Sequence, residues 1–297
     1  MSDPDYQPIS LDAEVDAPVV KLLAKVATRP LERLLAFDDA NEIYHTLPQD
    51  ERPFEARGLA RMNIRWNVSE EDLARIPKEG PVMAVANHPF GMIEGLVLIE
   101  LLRRARPADF KVLANYILSC YPEMLPNLIL VDPFDSEESK RRNLKGIREA
   151  MSWLRDGHLL GTFPAGEVAH LEWGKGEVAD PPWSSTVGRL VRRTGAAVIP
   201  IYFDGINGML FHMAGLVHPL LRTALIPRER QGSELRVRGG HPVSGLSTVK
   251  SDEEIVARAR EATFALARES RHGRTYSWRD VFSRASRNRR VNDLMNT

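Results

Sequence analysis

Residues 81–95 read Pro-Val-Met-Ala-Val-Ala-Asn-His-Pro-Phe-Gly-Met-Ile-Glu-Gly, and two physical regimes meet inside them. Pro81 to Ala86 is a short, continuous apolar run, the pattern of a strand buried on both faces of a sheet. Asn87 to Gly91 interrupts it with turn-forming residues, and a nearly all-apolar helix is predicted from about Met92 to Arg104. Such a hand-over from buried strand to helix is where open α/β sheets place their ligands.

The same alternation extends in both directions. Further apolar runs stand at Lys111 to Ala114, Leu128 to Val131, His158 to Phe163 and Val198 to Phe203. Between them lie helical stretches, the clearest beginning at Ser136, where Leu144, Ile147, Met151 and Leu154 recur at helical spacing. Met62, Ile64, Trp66 and Val68 alternate with polar residues as a half-exposed strand does, and Leu235 and Val237 mark a late strand. Ser251 with Glu254 forms a capping-box signature for a helix to about Glu269. Apolar strands alternating with helices predict an α/β fold with a mixed or mostly parallel sheet flanked by helices.

Ahead of this domain, Pro18 to about Tyr44 reads as helices. Val19, Leu22, Leu23 and Val26 share one face, while Lys21, Lys25, Arg29 and Arg33 line the other. A helix packed on the domain is the plainer reading; an amphipathic element on anionic lipid is the functional one. After it, the chain end carries Arg271, Arg274, Arg279, Arg284, Arg287, Arg289 and Arg290. The expected organisation is a helical segment over 1–60, the α/β domain over 61–270 and a basic tail over 271–297.

Composition narrows the function classes. Lys and Arg number 40 and Asp and Glu number 40, so bulk charge gives no reason to expect a nucleic-acid partner. A lone cysteine, Cys120, allows no intrachain disulfide and fits a reducing compartment. The start of the chain is acidic and lacks a secretory signal pattern, and no uncharged apolar stretch is long enough for a spanning helix. A cytoplasmic protein, peripheral to the inner face of a membrane, is the expectation. The histidines show no metal-ligand spacing, no G-x-S-x-G elbow occurs, and the glycines of Trp173 to Glu177 complete no phosphate-binding loop. No metal and no resident cofactor are expected.

What remains is His88 with Glu94. A neutral imidazole takes a proton from a hydroxyl as that group attacks a carbonyl, provided a carboxylate fixes its tautomer and stabilises the imidazolium. Glu94 stands six positions on, in the first helical turn, within reach of a glutamate side chain. The plainer readings are a turn histidine and a first-turn carboxylate favoured by the helix dipole.

Here the chain resembles the glycerolipid (lysophosphatidate-type) acyltransferase family, whose signature is N-H-x4-D in this strand-to-helix setting. Phe163-Pro164-Ala165-Gly166-Glu167-Val168 is similar to its F-P-E-G-T-R block, and Val198-Ile199-Pro200-Ile201 to its later apolar-proline block. The resemblance covers about Arg61 to Val243. More narrowly, NHPFG, FPAGEV and the run from Gly205 to Ala224 resemble a bacterial branch that includes acyltransferases making amino-acid-containing lipids. Two departures stand out. The spacing is H-x5-E, and Ala165 and Val168 occupy the family's glutamate and arginine positions, the latter the expected holder of an acceptor phosphate.

The resemblance implies transfer of a fatty acyl group from a thioester donor, acyl-CoA or acyl carrier protein, to the hydroxyl of a lysophospholipid or lyso-aminolipid. It implies His88 and Glu94 as the catalytic pair, with backbone amides near Gly91 or Gly166 meeting the oxyanion. Asn87, Phe90, Gly91, Pro164, Gly166, Glu167 and Asn207 are the expected substrate contacts. Replacement cations for Val168 are expected from the Ser136 helix, Arg142 among them. The membrane surface and the acyl donor are the expected partners. Cys120 as an acyl-enzyme nucleophile is a lesser candidate, and lone cysteines are usually inert. Two alternatives stay open: a membrane-binding protein with a vestigial site, and a thioesterase using the same pair to activate water.

Overall fold

The computed structural model describes residues 42–132, 137–172, 176–208, 212 and 232–269. The expected N-terminal helices before residue 42, the arginine-rich tail, Trp173 and most of the run from Gly205 to Ala224 lie outside the described residues.

In chain order the helices are α1 (Phe54–Arg61), α2 (Glu70–Ala74), α3 (Met92–Ala105), α4 (Glu137–Arg155), α5 (Ser185–Thr194) and α6 (Asp252–Glu269). The strands are β1 (Arg65–Asn67), β2 (Val82–Ala86), β3 (Phe110–Asn115), β4 (Leu128–Val131), β5 (Leu159–Thr162), β6 (His170–Glu172), β7 (Glu177–Ala179), β8 (Ala197–Asp204) and β9 (Glu234–Gly239). Seven of them form one sheet in the order β1-β9-β8-β2-β5-β3-β4; β6 and β7 pair separately as an antiparallel hairpin. Every neighbouring pair in the large sheet is parallel except β8 with β9.

The central strand explains the apolar run of the sequence. Along β2, Val82, Ala84 and Ala86 enter the core beneath α1 and α3, whereas Met83 and Val85 enter the opposite core with α4, α5 and α6. Both faces of β2 are therefore dry, and a polar side chain anywhere along it would have to be buried. The edge strand β1 is shorter than the alternation from Met62 to Val68 predicts. Met62 and Ile64 are buried before the ladder begins, and only Arg65 to Asn67 pair with β9. The capping box at Ser251 forms by half: Ser251 Oγ accepts from the Glu254 amide at 3.2 Å, but the Glu254 carboxylate turns outward to Arg258.

Helices α5 and α6 meet without room for a side chain between them. A Cβ at Gly188 would stand 2.0 Å from the Asp252 carbonyl oxygen, a backbone atom at the start of α6. Because backbone cannot swing aside as a side-chain tip can, Gly188→Ala is expected to destabilise the protein by about 1–3 kcal/mol through overpacking. The shift of the urea midpoint at constant slope measures it.

Candidate active site

The chain leaving β2 is pinned before it turns. The Asn87 amide grips β8, its Nδ2 donating to the Phe203 carbonyl at 3.0 Å and its Oδ1 accepting from the Phe203 amide at 2.7 Å. At the next residue, the His88 amide donates to Asp180 Oδ1 at 3.2 Å, and the His88 carbonyl accepts from the Ala169 amide at 2.7 Å. Asp180 is itself held by Trp183 Nε1 at 3.0 Å. Burial pushes the Asp180 carboxyl above the usual carboxylate range, while the hydrogen bonds from Trp183 and from the His88 backbone pull the other way.

Glu94 gathers the rest of the turn. Its Oε1 accepts from His88 Nδ1 at 2.8 Å, from the Phe90 amide at 2.7 Å and from the Gly91 amide at 2.6 Å. The side chain is completely buried, and that of His88 is 16% exposed. Gly91, at φ 101°, begins α3 in a backbone conformation that residues with a Cβ rarely adopt, so the tight return of the chain onto Glu94 depends on it. An acceptor-only carboxylate oxygen facing Nδ1 places the imidazole proton on Nδ1 and leaves Nε2 as an acceptor. The ring lies stacked on Phe163, with centroids 4.3 Å apart.

His88 lines a cavity of about 400 Å³ at the carboxyl ends of β2, β3 and β5. Leu96, Ile99, Val112, Leu118, Met124 and Leu128 give it an apolar interior, and Thr162, Asp132, Asn143 and Ser184 supply polar groups. Among the described residues that line it, His88 and Asp132 are the only ionisable ones, and no lysine or arginine is present. Val168, at the family's arginine position, is part of this lining.

The expected site residues divide between the cavity and its supports. Gly91, Pro164 and Gly166 line the cavity beside His88. Asn87 does not; both ends of its amide are committed to β8, and it acts as a strut. Phe90 is buried against Gly205, where a Cβ would stand 2.7 Å from the ring. Glu167 is exposed and outside the lining. Asn207 is buried, and neither of its amide atoms has a hydrogen-bond partner among the described residues. Arg142 lies on α4, with its side chain outside the described residues. The expected oxyanion amides are already engaged, Gly91 with Glu94 and Gly166 with the Phe163 carbonyl.

Sequence reasoning missed Asp180 entirely. Nothing local marks an aspartate before Pro181 as the support of a histidine 92 residues away. Trp183 is buried and holds Asp180 in place. Burial pushes the Cys120 thiol up to about 12, which leaves essentially no thiolate near neutral pH. Among the described residues, no group of histidine, cysteine and acidic side chains could hold a metal ion, and no helix is long and apolar enough to cross a membrane.

Comparison with known proteins adds a family to this geometry. Over 145 residues, 49% of this chain, it is 28% identical to a lyso-glycine lipid O-acyltransferase of Phocaeicola vulgatus and covers 50% of that protein. A protein of the same name from Bacteroides thetaiotaomicron is 26% identical over 145 residues, 49% of this chain and 51% of its own length. The match thus spans about half the length of these relatives. The crystal structure of PlsC, the 1-acyl-sn-glycerophosphate acyltransferase of Thermotoga maritima, aligns with a TM-score of 0.48 at 18% identity, over 82% of this chain and 85% of that one. The profile of the family described as acyltransferase matches residues 11–267, and the chain belongs to that family.

Proposed function

We propose that the protein transfers a fatty acyl group from a thioester donor to the hydroxyl of a lysolipid, with His88 as general base. One observation carries this reading: an imidazole fixed through Nδ1 by a buried carboxylate stands in the wall of a largely apolar cavity. Nε2 takes the acceptor's hydroxyl proton as the oxygen attacks the thioester carbonyl. Glu94 holds the ring and offsets the imidazolium charge. Collapse of the tetrahedral adduct expels the donor's sulfur, which leaves as a thiol with the proton returned from His88, and no acyl-enzyme forms. The first turn of α3, which lines the cavity through Met92 and Gly95, offers helix N-terminal amides to the oxyanion in place of those of Gly91 and Gly166.

The same geometry bears on the acceptor. A phosphate monoester head group calls for a cation, and the described lining offers none. Val168 where the family has arginine, together with the lyso-glycine lipid O-acyltransferase relatives, favours an amino-acid-containing lysolipid over lysophosphatidate. The acyl chain lies against Leu96, Ile99, Met124 and Leu128. Leu125 and Leu144, both exposed, adjoin the lining residues Met124 and Asn143 in sequence and suit contact with a membrane surface, the inner one for a cytoplasmic donor.

Two outcomes test the proposal with labelled long-chain acyl-CoA, then acyl carrier protein, against a pool of lysolipids bearing phosphate and amino-acid head groups. A new diacylated lipid is expected, and His88→Ala should slow its formation on the order of 10²–10⁴-fold. Near-normal turnover by folded His88→Ala removes the general-base role, and hydrolysis that no lysolipid diverts makes the protein a thioesterase. Cys120→Ala is expected to keep wild-type turnover, since a half-buried thiol that stays protonated cannot carry the acyl group. A dead but folded Cys120→Ala would instead point to an acyl-enzyme.

A further inference from the structure

Helices α4 and α5 leave the cavity side by side and then border a second hollow, a groove of about 570 Å³ between the two helices. The two spaces adjoin at one residue, Ile147, which lines both. On α4 the cavity takes Asn143 and Ile147, and the groove takes Ile147, Arg148, Met151 and Arg155. On α5 the cavity takes Thr186 and Val187, and the groove takes Arg189 and Arg193. From Ile147 to Arg155 the groove runs for about 12 Å along α4 at the usual helical rise.

Its charge is one-sided. All four arginines are exposed, and Arg148, Arg155 and Arg193 have no carboxylate partner among the described residues. Arg189 reaches Asp252 at 3.7 Å, and the one acid in the groove, Asp156, accepts a long hydrogen bond from Ser152. The floor is apolar: Ile147 and Met151 are partly buried against the core. Unpaired guanidinium groups around an apolar floor suit a ligand that carries several phosphates and an aromatic base, since planar forks bind phosphate oxygens and stack on rings.

We propose that this groove binds the nucleotide end of coenzyme A, so that the pantetheine arm passes over Ile147 and delivers the thioester to His88. The inference rests on the acyl-transfer reading above and extends it by assigning the donor. It places the donor's phosphates outside a reaction cavity whose described lining has no cation, and so separates donor recognition from acceptor recognition.

The test compares two donors in the same protein, a long-chain acyl-CoA and the corresponding acyl-N-acetylcysteamine, which keeps the thioester but has no phosphate. In Arg148→Ala/Arg193→Ala, the ratio of kcat/KM for acyl-CoA to that for the short donor is expected to fall by about tenfold or more, through KM. Adenosine 3′,5′-bisphosphate, a coenzyme A fragment without thioester, should bind the wild type and compete with acyl-CoA, and should lose affinity in the double variant. Both substitutions are at exposed positions with no carboxylate partner among the described residues, so the fold should persist. An unchanged ratio, or transfer from acyl carrier protein with no use of acyl-CoA, overturns the assignment while leaving acyl transfer standing. Absence of transfer from every donor, with wild-type binding of the bisphosphate retained, sinks the catalytic reading and not the groove.

Discussion

A single buried carboxylate oxygen organises the site. Glu94 Oε1 collects the imidazole of His88 and the amides of Phe90 and Gly91, so the tautomer of the ring, the path of the loop and the start of α3 share one acceptor. Hydrogen bonds to an ionised acceptor in a dry environment are strong, and an unpaired carboxylate there would be costly. The plain and the functional readings of Glu94, helix N-terminal acid and histidine partner, thus meet on one oxygen. A residue that serves the fold and the histidine together is hard to replace, because no substitution relieves one demand without failing the other.

Around that oxygen the scaffold is built to resist displacement of His88. Asn87 ties the end of β2 to β8, and Asp180 with Trp183 holds the His88 backbone from the far side of the sheet. Phe163 covers the ring face. These struts come from four separate stretches of chain and converge only because β2 lies between β5 and β8. The wider H-x5-E spacing is absorbed within this arrangement: with Gly91 at positive φ, the longer glutamate returns to Nδ1 at 2.8 Å.

Charge is distributed with equal economy. The described cavity lining is nearly uncharged apart from His88 and Asp132, while arginines gather on the outer faces of α4 and α5. An apolar interior suits a hydrocarbon chain and strengthens the electrostatics of the pair at its wall. Exposed arginines hold anions more weakly and are screened by salt, which suits a carrier that must come and go.

The α/β class was legible in the sequence alone, because apolar runs at Pro81, Leu128, His158 and Val198 alternate with helical stretches, the pattern of a sheet covered by helices. It also placed His88 and Glu94 at a strand-to-helix turn, since that local chemistry is written within nine contiguous residues. Periodicity missed the β6–β7 hairpin, whose strands are only three residues each, and helix α5 was not singled out among the helical stretches between the apolar runs. Only the tertiary structure decided which neighbours serve the site. Asn87 and Phe90, beside the histidine in sequence, turn into the scaffold, whereas Asp180, 92 residues away, supports His88 directly. Strand order brings those groups together, and strand order depends on long-range packing that no local spacing encodes.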